Sequence, residues 1–371
     1  MKNLNTLILA CILFSTSWVF AQVDYEIYVS DAGGFNNPPW KVMRFDTNGD
    51  NPETLDDSNV AWPQDILFLE DQDIFLVSSL NTGVITRHEI EDGAFIDNFA
   101  TGIGGPTRMK IGPDGLIYVL QWTGNGTVWR YEQDGTFVDE FTTVGVSQSI
   151  GLDWDTSGNL YVSSFGGDSV RKFNSSGADQ GLFINSNLIG PTNIEFLDNG
   201  DLLVLDWNGN DVKRFDSNGN FIGVFITGLN QPEGIDFYPN GDMLIGDGGN
   251  SAVNKYDSNG AFLEVFITSG SGGLIQPNAV IIRDPNLSVA DNELNIVFVT
   301  PTVGERFTIH SSIISEYESV EIFDLSGKRV ETMKLGDTLY WEAGDRAEGI
   351  YFVVASNNGS RITQKIVVKK K

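Results

Sequence analysis

The stretch Pro191-Thr192-Asn193-Ile194-Glu195-Phe196-Leu197-Asp198-Asn199-Gly200-Asp201-Leu202-Leu203-Val204-Leu205-Asp206 returns as Pro232-Glu233-Gly234-Ile235-Asp236-Phe237-Tyr238-Pro239-Asn240-Gly241-Asp242-Met243-Leu244-Ile245-Gly246-Asp247. Looser copies begin at Trp62-Pro63, Gly105-Pro106 and Gln148-Ser149. Equivalent positions are Pro63, Pro106, Ser149, Pro191, Pro232 and Pro277, so the intervals are 43, 43, 42, 41 and 45 residues. Within the best copy four short runs alternate apolar and polar: Ile194 to Phe196, Leu202 to Leu205, Val212 to Phe215 and Phe221 to Phe225. Asn199-Gly200 and Asn218-Gly219 separate them, where a tight turn needs positive φ at little steric cost. Four strands every ~43 residues is the spacing of a β-propeller blade.

Five complete blades start at residues 63, 106, 149, 191 and 232. The sixth is split. Tyr25 to Asp31 and Val42 to Asp46 supply its second and third strands, and Pro277 to Arg283 supplies its first from the far end. Pairing the two ends closes the ring and removes its open edges. A seventh blade would need about 43 further residues.

Composition bounds the partners, and the N-terminus gives the compartment. The 371 residues carry 50 Asp and Glu against 23 Lys and Arg, a net charge of -27, with 2 His and 1 Cys. That balance repels phosphate backbones and anionic lipid, so nucleic acid and membrane surfaces are excluded as partners. Two histidines leave little scope for a multi-His metal site. Residues 1–21 read as a signal peptide: Lys2 is the basic start, Leu7 to Phe20 the apolar run, and Val19-Phe20-Ala21 the cleavage site. Its removal takes Cys11 with it, leaving a chain stabilised by packing without disulfides. No other segment approaches the length of a membrane span.

The charge steps down near residue 287. Residues 22–286 hold 38 acidic and 12 basic side chains, whereas 287–371 hold 12 and 10. With the Asp284-Pro285-Asn286 breaker, the step divides a propeller domain (22–286) from a C-terminal domain (287–371). The latter alternates as a small β-sandwich, with strands expected at Ile296 to Val299, Phe307 to His310, Ser319 to Phe323, Gly349 to Val354 and Ile362 to Val368. The whole reads as all-β.

Two resemblances follow. Val320-Glu321-Ile322-Phe323-Asp324-Leu325-Ser326-Gly327-Lys328-Arg329-Val330, Glu348-Gly349-Ile350-Tyr351-Phe352-Val353-Val354 and the basic terminus Lys365 to Lys371 resemble the type A C-terminal sorting domain of type IX secretion. Thr300-Pro301-Thr302 is a partial echo of its opening motif. The resemblance implies export through the periplasm to the outer surface or the medium, handled by the type IX machinery. An ordinary immunoglobulin-like appendage is the alternative. The repeat phrase itself resembles the NHL repeat and the wider six-bladed superfamily that includes the gluconolactonase-like hydrolases. It is specific for fold, and propellers host many activities.

In such a blade the first strand lines the channel, and its start meets the end of the second strand at one mouth. The two positions after each Pro equivalent are Gln64/Asp65, Thr107/Arg108, Ile150/Gly151, Thr192/Asn193, Glu233/Gly234 and Asn278/Ala279; the second-strand ends are Asp31, Ser79, Gln121, Ser164, Asp206 and Asp247. By resemblance to the gluconolactonase-like family, Glu233 and Asn278, with Asn193 and Asp65, would hold a divalent cation for a metal-dependent esterase or lactonase. Oxygen-only ligands suit Ca²⁺ or Mg²⁺. Ile150 stands where that family often has an Asn, and Arg108 places a cation in the same ring. Against the metal stands the plainer reading, in which these groups cap turns and hydrate a water-filled channel.

The second reading is a binding module. Trp122, Phe165 and Trp207 each follow a second strand, the insertion Phe35-Asn36-Asn37-Pro38-Pro39-Trp40 adds an aromatic at the same mouth, and Trp62 lies in a neighbouring loop. Flanked by Asp206, Asp247 and Asn208, such rings suit a carbohydrate, another small molecule, or a cation; packing between blades is the alternative. His88 falls on a third strand, away from the mouth, so lyase chemistry of the related virginiamycin type has no base there. Asp46-Thr47-Asn48-Gly49-Asp50 lacks the later Glu of a calcium loop and matches the turn punctuation at Asp216 and Asp257. The expected protein is a monomeric, exported binding propeller without catalysis.

Overall fold

The computed structural model describes residues 24–285, 298–310, 317, 319–324, 328–334, 339–356 and 361–370. The signal peptide and the boundary expected at residue 287 lie outside them. The chain divides into two compact units, Met1–Val289 and Ala290–Lys371.

The first unit contains six antiparallel four-stranded sheets. In the best-conserved repeat copy, Pro191–Phe196, Leu202–Asp206, Asp211–Phe215 and Phe221–Ile226 pair in sequence order. Ile194 lies opposite Val204, and Val204 opposite Lys213. The second strand is buried along its whole length because both its faces meet neighbouring blades. Leu203, Leu205 and Val212 of this blade pack with Ile235, Met243 and Ile245 of the next, so the core lies between the sheets. Gly200 and Gly219 take φ of 84° and 81°, the geometry their Asn-Gly turns require.

The inner strands are Pro63–Leu69, Pro106–Ile111, Ser149–Trp154, Pro191–Phe196, Pro232–Phe237 and Pro277–Arg283. Each touches the next in that order, and the last touches the first, so the propeller is a closed ring. Closure follows the expected split: Pro277–Arg283 pairs with Glu26–Asp31, which pairs with Lys41–Phe45. Val29 sits opposite Val280 on one side and Met43 on the other. A fourth strand, Glu53–Asp56, completes this sheet; its polar sequence carries no alternation by which to recognise it.

The second unit has a three-stranded sheet of Val299–Thr300, Arg306–Ile309 and Leu339–Glu342. Its five-stranded sheet runs Val303–Gly304, Arg361–Val368, Gly349–Ser356, Ser319–Asp324, Arg329–Lys334. Phe298, Phe307, Val320, Ile322, Trp341 and Val353 share their core. At the first expected strand the described pairing includes Val299; residues 296–297, like Leu325 to Gly327, are outside the described set. Val303–Gly304, Arg329–Lys334 and Leu339–Glu342 are additional strands.

Candidate functional site

At the mouth where inner strands begin, a cavity of about 210 Å³ is lined by Phe35, Trp62, Trp122, Phe165 and Trp207. The repeat explains three of them. Trp122, Phe165 and Trp207 directly follow the second strands Ile117–Gln121, Leu160–Ser164 and Leu202–Asp206. Their backbone N–H groups donate to Gly105, Gln148 and Gly190 at 2.8, 3.0 and 3.0 Å, which pins each ring over the entry to an inner strand. Neighbouring rings touch: Trp122 and Phe165 at 5.5 Å between centroids, Phe165 and Trp207 at 5.8 Å, Phe35 and Trp62 at 5.3 Å. Within the Phe35–Trp40 insertion only Phe35 lines the cavity. Trp40 packs against the Tyr28 and Phe75 core and donates its indole N–H to the Phe35 carbonyl at 2.7 Å, bracing the loop. Trp62 has φ 54°, and left-handed residues recur at the same position as Gly105, Gln148, Gly190 and Gln231. The turn therefore belongs to the blade entry.

Ile150, expected at this mouth, also lines the cavity, and so does Leu80, which was not singled out from sequence. The repeat contains the signal for Leu80: its N–H donates to Trp62 as Trp122 donates to Gly105, so it is the apolar equivalent of the three aromatics.

The floor is polar and incompletely paired. Gln64 and Glu233 are 1% and 4% exposed and line the same cavity. Gln64 Oε1, Glu233 Oε1 and Trp62 Nε1 are buried without a hydrogen-bond partner from the protein, as are both amide atoms of Asn278 beside them. Burial pushes the Glu233 carboxyl up to about 7, with Arg108 opposing and Asp65 adding to the rise. Buried polar atoms normally have partners, so these mark where water or a ligand bonds.

Asp206 and Asp247 are placed differently from expectation. Both are buried and spent on the fold. Asp206 accepts from the Ile189 N–H at 2.8 Å and pairs with Lys213; Asp247 accepts from the Asn230 N–H at 2.7 Å, the Asn254 amide at 2.8 Å and the Asn250 amide at 2.9 Å. Asp31 does the same with Ile275 and Gln276. A carboxylate at the second-strand end thus latches the loop before the inner strand, and neither Asp206 nor Asp247 lines the aromatic cavity.

The four metal candidates do not form one site. Asp65 and Asn193 line a second cavity, Glu233 lines the aromatic one, and Asn278 lines neither. Between them stands Arg108, 4% exposed. Its Nη1 lies 3.5 Å from Asp65 Oδ1 and its Nη2 3.5 Å from Glu233 Oε1. The guanidinium also donates to the carbonyls of Gln64 and Asn278, stitching inner strands across the bore. Asp65 Oδ2 accepts from the Met109 N–H at 2.7 Å, and Asn193 Oδ1 from the Ile194 N–H at 3.0 Å. A donor set divided between two cavities, with Asp65 Oδ2 and Asn193 Oδ1 already taken by main-chain N–H groups, fits Ca²⁺ or Mg²⁺ poorly, because such an ion needs about six or more oxygens converging on one point.

Beyond Arg108 the bore widens to about 460 Å³. Of the residues four after the Pro equivalents, Leu67, Lys110, Glu195, Asp236 and Ile281 line it, and Lys110 bonds the sixth, Asp153, and Glu195 at 2.9 Å each. Burial raises the Glu195 carboxyl to about 8 against the pull of Lys110, and raises Asp236 to about 6 against the N–H groups of Ile282 and Phe237. This charged ring was missed, although strand alternation carries it: if the second residue after the Pro faces the bore, so does the fourth.

His88 is on a third strand, fully buried between Thr86 and Phe75. The Asp46, Asp216 and Asp257 carboxylates accept N–H groups of their own turns, as punctuation requires.

Residues 300–369 match the family described as the secretion system C-terminal sorting domain. The chain is therefore handled by the type IX secretion machinery and exported to the cell surface or outside. No curated protein matches the chain. Among solved structures, the crystal structure of a nidogen/laminin complex aligns with a TM-score of 0.57 at 14% identity, covering 70% of this chain and 98% of that one. A protein of unknown function from Bacteroides caccae aligns with a TM-score of 0.56 at 17% identity, with the same coverages. These likenesses concern the fold alone. Among the described residues no helix is long and apolar enough to cross a membrane.

Proposed function

We propose that this protein is an exported binding module that takes a small molecule into the aromatic mouth of an NHL-like six-bladed propeller. One observation carries the reading: five aromatic side chains, each from a different blade or its entry loop, line one cavity whose floor holds unpartnered buried polar atoms. Concave, mostly apolar sites with a few convergent polar groups are the usual form of ligand pockets. In this reading the signal peptide at 1–21 carries the chain to the periplasm and the domain from 287 addresses it onward. A monomer suffices, because one ring builds the whole mouth.

The gluconolactonase-like esterase or lactonase is set aside, since its ligand set does not converge: Asp65 and Asn193 line one cavity, Glu233 the other, and Asn278 neither. Tight one-to-one Ca²⁺ or Mg²⁺ binding in calorimetry, lost in Glu233→Ala, would reinstate it.

A screen of sugars, amino acids and amines by tryptophan fluorescence and thermal shift tests the binding reading. Expected is a saturable ligand whose binding is lost in Trp122→Ala and Trp207→Ala. Ligands indifferent to both changes, or none at all, would overturn it.

A further inference from the structure

We infer that the ligand group held by the aromatic cavity is a small organic cation, a methylated or quaternary ammonium, with Glu233 as its counter-charge. The inference rests on the mouth being a binding site and adds the chemical class.

The walls argue first. Phe35, Trp62, Trp122, Phe165 and Trp207, with Leu80 and Ile150, leave almost no polar surface above the floor. A sugar ring brings a hydroxyl on nearly every carbon, and each one buried here without a partner would be penalised. The polar partners the cavity offers are Gln64 Oε1 and the Trp62 indole N–H, which hold no hydrogen bond, and Glu233, whose Oε1 holds none but lies 3.5 Å from Arg108 Nη2. An anion fares worse. The Arg108 guanidinium beside the floor already donates to the carbonyls of Gln64 and Asn278 and faces two carboxylates.

Charge and size agree. With both carboxylates ionised, the Asp65, Arg108 and Glu233 cluster is net negative, at the base of a low-dielectric pocket. Aromatic faces attract a cation held within about 6 Å of their centroids, most strongly once it is desolvated. A primary ammonium would bury three N–H donors against two side-chain oxygens that hold no hydrogen bond, one of them already facing Arg108, whereas a quaternary ammonium buries charge with no donor to satisfy. At about 210 Å³ the cavity is smaller than the roughly 300–1,000 Å³ typical of drug-sized sites, which suits a single head group.

The test uses the exported full chain with choline and tetramethylammonium as probes, and 3,3-dimethylbutan-1-ol as the neutral isostere of choline. Calorimetry and tryptophan quenching at pH 8 are expected to show both cations binding, with the isostere at least about tenfold weaker. Glu233→Gln is expected to weaken choline by a similar factor. Equal affinity for choline and its isostere would overturn the cation assignment, and that comparison needs no variant to fold. Failure of both cations, with a neutral ligand still lost in Trp122→Ala, would overturn the assignment and leave the binding mouth intact. If no compound of any class responds to Trp122→Ala and Trp207→Ala, both readings fall.

Discussion

Arg108 Nη2 lies 3.5 Å from Glu233 Oε1 across the bore of the propeller, joining two blades that are neighbours neither in sequence nor in the ring. The same guanidinium reaches Asp65 and the carbonyls of Gln64 and Asn278. One side chain thus closes the channel and separates an apolar aromatic chamber from a charged one.

Arg108→Met is expected to destabilise the propeller by about 3–5 kcal/mol, because it strands two buried carboxylates and the facing carbonyls. Arg108→Lys should recover little, since an ammonium cannot span the planar set of acceptors. Denaturant unfolding midpoints check this; a loss within about 0.5 kcal/mol, typical of a surface site, would refute the stitch.

Choline affinity should rise between pH 6 and pH 8. Burial holds the Glu233 carboxyl at about 7, with Arg108 and Asp65 as its charged neighbours, so below that pH it takes a proton and the counter-charge is lost. A bound cation favours the ionised form, and binding near pH 7 should release a proton. Calorimetry in buffers of different ionisation heat measures that proton, and Glu233→Gln should abolish both effects.

His88 should make the fold sensitive to mild acid. Burial lowers its pKa, against the Gly93 carbonyl and Asp56, so the folded ring favours the neutral form. The unfolded chain takes up the proton near pH 6.5. The stabilisation is therefore whole above about 6.5 and is lost as pH falls toward the lower folded value. Glu195 and Asp236 shift in the opposite sense, but they are common to wild type and His88→Phe. The difference in unfolding free energy between the two proteins should shrink below pH 6.5; a constant difference would exclude the effect.

Asp247→Ala should cost stability without costing ligand affinity. It removes the acceptor for the Asn230 N–H and for the amides of Asn250 and Asn254, worth about 1–3 kcal/mol for buried groups left unpaired. Gly248, which follows it, contributes no ring to the cavity. Choline titration beside thermal unfolding separates the latch from a binding role, which would instead abolish titration in a folded protein.

Much of this was legible in the repeat. The interval from Pro191 to Pro232 sets four strands per blade, and Pro277 beyond the fifth full copy implies the split closure. Period-two alternation and Asn-Gly turns are local signals, written within a few residues, so a single chain suffices to read them. Placing Trp122, Phe165 and Trp207 at one mouth needed only the repeat register. The strand Glu53–Asp56 was not legible, because it is held by pairing with Lys41–Phe45 and has no apolar face of its own.

The roles of the polar residues could not be read the same way. Asp206 and Glu233 are both acidic side chains at repeat positions near the mouth, yet one is hydrogen-bonded by Lys213 and the Ile189 N–H while the other keeps an oxygen with no hydrogen bond, facing Arg108 across the bore. Arg108 looked like one member of a ring, and it proved to be the plug that divides the bore. Which partner a buried charge finds depends on residues 7 to 170 positions away. Periodicity is a property of neighbours along the chain; electrostatic pairing across a channel exists only once the ring has closed.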